Sequence, residues 1–318
     1  MRHAAKIGTV SPSALPRPDL RIGARERLVN WIDRNLPVIF NIPTVLLLAG
    51  IVGFPILLVI YTSFTDWYLY RPGDRQLIGL GNYVQAWTDP RWINSIWHTL
   101  YFALGSVFFQ LVIGLAIALL FNRQIRGKTF YRSVFLLPMI AMSTAISLVW
   151  IIMYNNSYGV LNFWLNSLGL ESIEWLSSPN MAIPSLMIVQ VWHWTPFMTL
   201  LLLAGLQSLP SEPFEAARID GASPWQLLVH ITLPLLKGHI IVAVILRSIF
   251  AFKEFDTILT MTEGGPNWAS ETMNMNVYFD AFKYGYTGMA AAKGVMFFAL
   301  LLAIQWALVK YRERQWSY

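Results

Sequence analysis

The sequence predicts an all-α integral membrane protein with six transmembrane helices and a cytoplasmic helix-turn-helix between the fourth and the fifth. Two observations predict this class. Of the 318 residues, 56% are hydrophobic and only 13% are charged, whereas soluble domains have roughly 45–50% apolar and about 25% charged residues. The apolar residues are concentrated in six windows, each long enough for a helix to cross the hydrocarbon core, which takes about 20 residues.

The six windows justify the predicted helices one by one. They cover approximately residues 39–63, 97–121, 131–153, 181–207, 238–261 and 288–310. Five prolines lie within them: Pro43, Pro55, Pro138, Pro184 and Pro196. Proline is tolerated in a transmembrane helix as a kink, because neighbouring helices can bond the freed backbone groups. The prolines therefore do not argue against the six spans.

Positive charge predicts the orientation. With both termini in the cytoplasm, the inner segments hold sixteen of the 23 Lys and Arg residues, whereas the outer loops hold four. Cytoplasmic loops carry an excess of Lys and Arg, so we expect both termini inside. The segment 154–180, which has no Lys or Arg, then faces outward, and the loop between the fourth and fifth windows faces inward.

Three regions follow from these patterns. Residues 1–37 are basic, contain Pro12, Pro16 and Pro18 and lack apolar periodicity, which predicts a mostly disordered cytoplasmic tail and not a removable signal peptide. Residues 38–311 form the membrane domain. Residues 312–318 form a short cytoplasmic C-terminal end.

The loop at 211–238 contains signals for two short helices joined by a turn. Ser211, Pro213, Asp220 and Gly221 mark the first helix, and Ser223, Pro224 and Gln226 mark the second. Gly221 can adopt the positive φ that ends a helix, and Ser223 with Gln226 can form a capping box. Pro234 and Gly238 predict the change into the fifth span.

The same loop resembles a signature sequence. The matching residues are Glu215, Ala216, Ala217, Asp220, Gly221, Ala222, Ile231, Leu233 and Pro234. They resemble the signature loop of permease subunits from binding-protein-dependent ABC importers. Leu228 stands where an aromatic residue is common in that family, and Gly238 where proline is frequent.

Four further places are similar to the carbohydrate branch of that family, the maltose-type sugar permeases. They are Ser63-Phe64 with GLGNY at 79–83 and Asp89-Pro90; Pro138 with Trp150; Gly159, Asn162 and Gly169; and FKEFDTILTMTEGGP at 252–266. The resemblance extends from about residue 43 to residue 311. It is most specific in the last of these segments.

In the resembled family the signature loop is a coupling helix, which docks into a groove of a separate ATPase subunit. The resemblance therefore implies an ATPase-coupling role for Glu215, Ala216, Ala217, Asp220, Gly221 and Ala222. We expect Glu215 to make a charge-assisted contact with a basic residue of the ATPase. Two simpler interpretations stay open. The loop is then only an amphipathic connector, and Glu215 is a solvated charge that the helix dipole favours.

Ionisable residues inside the windows predict a polar site. Such a residue costs about 2.5–3.5 kcal/mol at the centre of a transmembrane helix, so it needs a partner or water. One face of the fifth window, with spacing i, i+3, i+4 and i+7, carries Arg247, Phe250, Ala251 and Glu254. We expect this face to line a wet cavity. Lys253 and Asp256 lie on other faces, and Lys293 is expected to snorkel from the sixth window.

The kinked fourth window supplies a second set of residues. The sequence QVWHWTPFM at 190–198 brings together Gln190, His193, Trp194 and Phe197 around Pro196. Aromatic rings suit the C–H surfaces of a sugar, and amide, imidazole or charged groups suit its hydroxyls. In the resembled family the sugar site is lined by the span before the Gly264-Gly265-Pro266 motif. The two sets together form the predicted substrate pathway.

Each pathway residue has a competing interpretation. His193 is also explained as a core histidine that donates to a carbonyl group. The aromatic residues, Trp192 above all, are also explained by packing against neighbouring helices. Arg247 and Glu254 are also explained as structural or gating charges that pair with a partner subunit.

Other function classes are weakened by missing motifs. The only Gly-Lys-Thr lies at 127–129, and Asn122 stands where the phosphate-binding pattern requires a glycine. We therefore expect no ATPase activity, no cofactor and no metal on this chain, with ATP and Mg²⁺ on a partner ATPase. The sequence has no HExxH or GxSxG pattern, which argues against a membrane enzyme.

The sequence thus predicts the transmembrane subunit of an ABC importer for a sugar or related polyol. The resemblance implies a second permease subunit, an ATPase dimer and an external solute-binding protein. It also implies the bacterial inner membrane as the location. Two alternatives remain: an ion-coupled secondary transporter, and an ABC permease for an anionic substrate such as a glycerol phosphate.

Overall fold

The computed structural model describes residues 24–71, 73, 75–123 and 126–316. Its α-helices are Ala24–Leu48, Phe54–Ser63, Gly81–Thr88, Pro90–Asn122, Lys128–Ile140, Ser143–Met153, Val160–Ser167, Pro179–Gln207, Glu212–Ile219, Pro224–Gln226, Leu233–Phe252, Asp256–Met261, Met273–Tyr278 and Thr287–Trp316. π-Helical turns occupy Ala49–Gly53, Leu227–Thr232 and Phe279–Lys283. Across these described ranges there is no strand, only an isolated bridge between Thr65 and Leu77. The predicted all-α class is confirmed.

In the part of the chain that the structure describes, five helices are long and apolar enough to cross a membrane, and a bent pair makes a sixth span if it is counted as one. We number them span 1 (Arg34–Ser63), span 2 (Pro90–Asn122), span 3 (Thr129–Ile140 with Ser143–Met153), span 4 (Pro179–Gln207), span 5 (Pro224–Phe252) and span 6 (Thr287–Glu313). Each overlaps one predicted window.

The chain divides after Leu57 into two units. The first unit contains most of span 1, whose apolar side chains are exposed. Its helix begins at Ala24, within the segment that the sequence predicted to be an irregular tail. Ala24, Arg25, Glu26 and Arg27 favour helix, which explains the early start. Residues 1–23, the rest of the predicted tail, lie outside the described residues.

Span 3 is not the single rod that the window 131–153 predicted. Its two helices meet at an angle of 94°. Pro138 lies in the first helix near its end, where it removes one backbone donor from the helical ladder. Ala141 then adopts extended backbone angles. Span 3 is therefore broken at Ala141, shortly after Pro138, and is not a continuous helix with a kink as we expected.

Span 5 begins and ends earlier than the window 238–261 predicted. The helix runs without a break from Pro224 to Phe252, so neither Pro234 nor Gly238 interrupts it, although at Leu233, next to Pro234, the π-helical turn gives way to α-helix. A π-helical turn precedes Pro234, and the N–H of Leu233 donates to the carbonyl of Leu228 five residues earlier. The wider turn lets the helix continue up to the proline, which then occupies the first turn of the next α-helical stretch.

Spans 2, 4 and 5 pack closely through glycines. A Cβ atom on Gly114 of span 2 would lie 3.0 Å from Cγ of Met198 in span 4. A Cβ atom on Gly205 of span 4 would lie 2.7 Å from Cβ of His239 in span 5. Small residues allow this approach of helix backbones in a membrane. One core cluster, which includes Leu202, lies where these three spans meet.

Candidate functional site

The loop between spans 4 and 5 forms a rigid turn, which we name the coupling turn (residues 211–226). Its first helix, Glu212–Ile219, ends at Gly221, whose φ is +78°. The N–H of Ala222 donates to the carbonyl of Ala217 (2.9 Å), and the N–H of Gly221 donates to the carbonyl of Arg218 (3.1 Å). This pair of bonds is a Schellman motif. The helix end agrees with the sequence prediction.

The second helix of the coupling turn begins with a capping box. The backbone N–H of Ser223 donates to Oε1 of Gln226 (2.8 Å), and the N–H of Gln226 donates to Oγ of Ser223 (3.3 Å). This is the predicted arrangement. Ser211 precedes the first helix as predicted, but its side chain makes no capping bond. The turn is therefore fixed mainly by its own backbone and by the Ser223 cap.

The coupling turn presents a mixed acidic and apolar surface. Ile219 is 86% exposed and Trp225 is 71% exposed. The side chains of Glu215, Ala216 and Asp220 are also exposed, whereas Ala217 and Ala222 are partly covered. The turn therefore exposes both apolar side chains and carboxylates.

Three rings from spans 4 and 5 form what we name the aromatic face: Trp194, Phe197 and Phe250. The rings of Trp194 and Phe250 are stacked, with centroids 6.2 Å apart and planes inclined by 10°. Phe197 stands edge-on to both, at 6.1 Å from Trp194 and 6.3 Å from Phe250. Phe250 is 47% exposed. The structure thus brings together three of the predicted pathway residues on an accessible face.

A polar cluster adjoins the aromatic face; it consists of Gln110, Gln190, His193, Arg247 and Glu254. Nε of Arg247 donates to Oε1 of Gln110 (2.7 Å), and Nε2 of Gln110 donates to the carbonyl of Gln190 (2.9 Å). Nε2 of Gln190 donates to Oε2 of Glu254 (2.7 Å). Gln110, Gln190, His193 and Arg247 are buried. Two amide side chains therefore lie between the guanidinium and the carboxylate.

Several polar atoms of this cluster have no hydrogen-bond partner among the described residues: Nη1 and Nη2 of Arg247, Oε1 of Gln190, Nε2 of His193 and Nε1 of Trp194. Buried polar atoms without partners are uncommon and often mark functional positions. The cluster can therefore offer hydrogen bonds that the chain itself does not use.

Two residues of the predicted pathway lie elsewhere than the helical spacing implied. Ala251 packs in the core between spans 2, 4 and 5. Glu254 lies beyond the end of span 5, so it is not on the same helix face as Arg247. Its Oε1 accepts hydrogen bonds from the N–H and the hydroxyl of Thr257. The carboxylate thereby binds the first turn of the next helix, Asp256–Met261.

Sequence reasoning missed Gln110. It is an amide in the middle of the second apolar window, and its signal was its isolation among apolar residues. A polar side chain at this depth requires partners. Because those partners come from spans 4 and 5, only the packing of three spans reveals its role.

A second buried network joins spans 2 and 6 to the segment between spans 5 and 6. Arg91 makes a bidentate ion pair with Glu271 (Nη2 to Oε2, 2.7 Å; Nε to Oε1, 2.9 Å). Lys293 donates to Asp280 (2.7 Å), Asn276 (2.8 Å) and Asp89 (3.1 Å). The predicted snorkelling of Lys293 is wrong, because two carboxylates hold its ammonium group inside the protein.

Comparison with known proteins identifies the family. Residues 110–315 match the family described as binding-protein-dependent transport system inner membrane component. The chain is 38% identical over 230 residues to the trehalose/maltose transport system permease protein MalF of Thermococcus litoralis. The aligned region covers 72% of this chain and 78% of that protein. The chain belongs to this permease family. The resemblance that the residues carried is confirmed.

A further relative and a solved structure agree with this assignment. The permease is 34% identical over 281 residues to the sulfoquinovosyl glycerol transport system permease protein SmoG of Agrobacterium fabrum, covering 87% of this chain and 91% of that protein. Its fold resembles a chain of a bacterial alginate ABC transporter solved with its periplasmic protein, with a TM-score of 0.76 and 21% identity over 89% of this chain and 96% of that one. At this identity the structure supports the fold alone.

Membership of the family decides between two of the function classes. The family consists of membrane components of transport systems that depend on a binding protein. The chain's place in this family therefore does not fit the alternative of an ion-coupled secondary transporter. The family is also that of a permease subunit and not of an ATPase, in agreement with the missing phosphate-binding loop.

Proposed function

We propose that this permease forms half of the translocation pathway of an ATP-driven importer for a sugar or a related polyol. The observation that carries the proposal is the aromatic face with its adjoining polar cluster. Stacked rings that stay partly exposed suit the C–H surfaces of a sugar, whereas the amide and imidazole groups of the polar cluster, which would suit its hydroxyls, are buried in this conformation. Two relatives are named for the transport of trehalose, maltose and sulfoquinovosyl glycerol, which supports a carbohydrate substrate.

The continuity of span 5 supports mechanical coupling to an ATPase. The helix from Pro224 to Phe252 has 29 residues, so it is about 43 Å long at ~1.5 Å per residue. Its first turn belongs to the coupling turn, and its last turn carries Phe250 of the aromatic face. A displacement of the coupling turn by an ATPase dimer would therefore move the aromatic face through a single helix. Glu215, Ala216, Asp220 and Gly221 would meet the ATPase.

The aromatic face also supports the requirement for a second permease subunit. Its rings stay partly exposed in the single chain, so a second subunit would complete the pathway. An external solute-binding protein would deliver the sugar. The excess of Lys and Arg in the predicted inner segments supports an orientation with both termini in the cytoplasm of a bacterial cell.

Arg247 bears on the choice between a neutral and an anionic substrate. Its side chain is fully buried, whereas Phe250 beside it is exposed. A substrate that meets the aromatic face would therefore contact rings before it reached the guanidinium. This arrangement favours a neutral polyol over the anionic alternative.

The aromatic face is tested by a matched pair of tryptophan substitutions. Trp194→Ala should lower uptake of radiolabelled trehalose or maltose by the reconstituted importer about tenfold, because the loss of an aromatic contact costs on the order of 1 kcal/mol or more. Trp192→Ala is the control, because Trp192 lines an apolar groove on the other side of span 4. Equal uptake by the two variants would remove the aromatic face from the pathway.

The coupling turn is tested by a matched pair of glycine substitutions. Gly221→Val forces a β-branched residue into a positive φ, which strains the turn. Gly169→Val imposes the same strain at φ +77° in a different loop, and neither glycine has an atom near the added Cβ. We expect only Gly221→Val to reduce ATP hydrolysis stimulated by the binding protein. Unchanged stimulation in that variant would refute the coupling role.

A further inference from the structure

We propose that Gln110 and Arg247 are positioning residues that set the orientation of Trp194 in the aromatic face. The inference rests on the proposed sugar pathway and assigns to both residues a role without direct substrate contact. It also gives a function to Gln110, a residue of span 2 that lies outside the aromatic face.

The burial of Arg247 excludes a contact with a ligand at the aromatic face in this conformation. Among the described residues, its guanidinium makes one side-chain hydrogen bond and one cation–π contact. Nε donates to Gln110 (2.7 Å), and the guanidinium carbon lies 5.1 Å from the centre of the Trp194 ring. A desolvated cation over a tryptophan ring is strongly attracted to it. Arg247 therefore acts on the aromatic face through Trp194.

Gln110 determines where that guanidinium lies. Its amide is bonded at both ends: the oxygen accepts from Arg247, and the nitrogen donates to the backbone of Gln190 (2.9 Å). A carbonyl oxygen can only accept a hydrogen bond, so the nitrogen of the Gln110 amide must face the backbone of Gln190 and its oxygen must face Arg247. Because Gln190 and Trp194 belong to the same helix, Gln110 fixes the position of the Arg247 guanidinium relative to the ring of Trp194.

The nearby carboxylate does not replace Gln110 in this role. Glu254 accepts from Gln190 (2.7 Å) through Oε2 and from the hydroxyl of Thr257 (2.7 Å) through Oε1. None of the ion pairs among the described residues joins Glu254 to Arg247. Glu254 contributes its charge to the cluster, whereas the bond from Gln110 sets the direction of the guanidinium.

The result is an ordered series of contacts from span 2 to the aromatic face. Gln110 holds Arg247, Arg247 holds Trp194, and Trp194 stacks on Phe250 with an interplanar angle of 10°. If the first contact is lost, the ring of Trp194 should rotate or become mobile. Trp194 and Phe250 would then no longer present two parallel rings to a sugar.

A fluorine label reports this orientation directly. The complete importer is labelled with 5-fluorotryptophan, and the resonance of Trp194 is assigned by its loss in Trp194→Phe. Gln110→Met removes the amide with little change in shape, and it should shift or broaden that resonance. Gln110→Glu keeps an acceptor for Arg247 but loses the donor to the carbonyl of Gln190, so it should shift the resonance less than Gln110→Met does. Arg247→Lys keeps the charge but loses the planar fork, and it should shift the resonance even if Gln110→Met fails to assemble.

The control variant is Ser106→Ala, which removes a buried hydroxyl one turn away on the same helix. Oγ of Ser106 has no hydrogen-bond partner among the described residues, so its loss should leave the resonance unchanged. In uptake of trehalose or maltose, Gln110→Met should raise KM about tenfold, the effect of one lost hydrogen bond to a charged group, with a smaller change in the maximal rate.

The outcomes separate this inference from the proposed function. An unshifted Trp194 resonance in both Gln110→Met and Arg247→Lys would overturn the positioning role, whatever the uptake. Normal uptake by Trp194→Ala would overturn the sugar pathway and leave the resonance result standing. A shifted resonance with a raised KM would support both.

Discussion

The ion pair between Arg91 and Glu271 allows a quantitative prediction about stability. Glu271 is 1% exposed, and Arg91 is 17% exposed. Besides Arg91, the carboxylate accepts a hydrogen bond from the side chain of Asn276. We predict that Glu271→Gln strongly destabilises the folded permease, because it leaves the guanidinium of Arg91 beside a neutral amide. The glutamine oxygen can still accept from Asn276, but the amide nitrogen replaces the oxygen that accepted from Nη2 of Arg91, so the change removes the charge and one hydrogen bond.

The magnitude follows from the burial of the two partners. Removal of one member of a buried ion pair costs about 3–5 kcal/mol. Water that reaches Arg91 replaces part of the lost interaction, since exposed pairs contribute much less. We therefore expect a loss of about 3 kcal/mol. The double variant Arg91→Met with Glu271→Gln should be more stable than Glu271→Gln alone, because it leaves no unpaired charge.

The assay is thermal unfolding of the purified importer in detergent at one fixed scan rate. Glu263→Gln is the matched control, since Glu263 is an exposed carboxylate on the same segment. We expect a melting temperature close to that of the unchanged protein for Glu263→Gln and a clear decrease for Glu271→Gln. Equal melting temperatures for Glu263→Gln and Glu271→Gln would refute the reasoning from burial.

Three further predictions concern packing, charge and loop order. Gly114→Val should destabilise the folded permease by about 1–3 kcal/mol in the same assay, because a Cβ at Gly114 would lie 3.3 Å from the backbone nitrogen of Thr199 in span 4. Gly294→Ala should leave the melting temperature unchanged, because a Cβ at Gly294 would meet open space. Lys293→Met should lower the free energy of unfolding by about 3 kcal/mol or more, because it leaves the carboxylates of Asp89 and Asp280 without their cation. An unchanged melting temperature would contradict the argument that these charges depend on each other inside the protein. Asn162→Leu removes three hydrogen bonds to residues 173 and 175 and should increase cleavage after Glu174 by a glutamate-specific protease, in proportion to the opening of the loop.

The local features of the coupling turn could be predicted from the sequence. A Gly221 end signal and a Ser223 capping box depend on residues within one or two turns. The structure reproduces both. The effect of proline was harder to predict. Pro138 precedes a 94° break, whereas Pro234 lies in a helix that continues past it and that has a π-helical turn just before the proline.

Contacts between distant segments could not be predicted in the same way. Gln110 and Gln190 are 80 residues apart, and Arg91 and Glu271 are 180 residues apart. The partner of a buried polar group depends on which helices become neighbours, and hydropathy does not contain that information. For this reason Lys293 was predicted to reach the membrane surface, although two carboxylates bind it inside the protein.

The sequence by itself determined that this chain is a helical membrane protein, where its apolar segments lie and which loop carries the signature of its family. These properties depend on composition and on neighbours along the chain, which the bilayer and the backbone act on directly. The tertiary structure alone decided which polar side chains meet between the spans. A buried charge is stable only beside its partners, and those partners are brought together by helix packing across the whole chain.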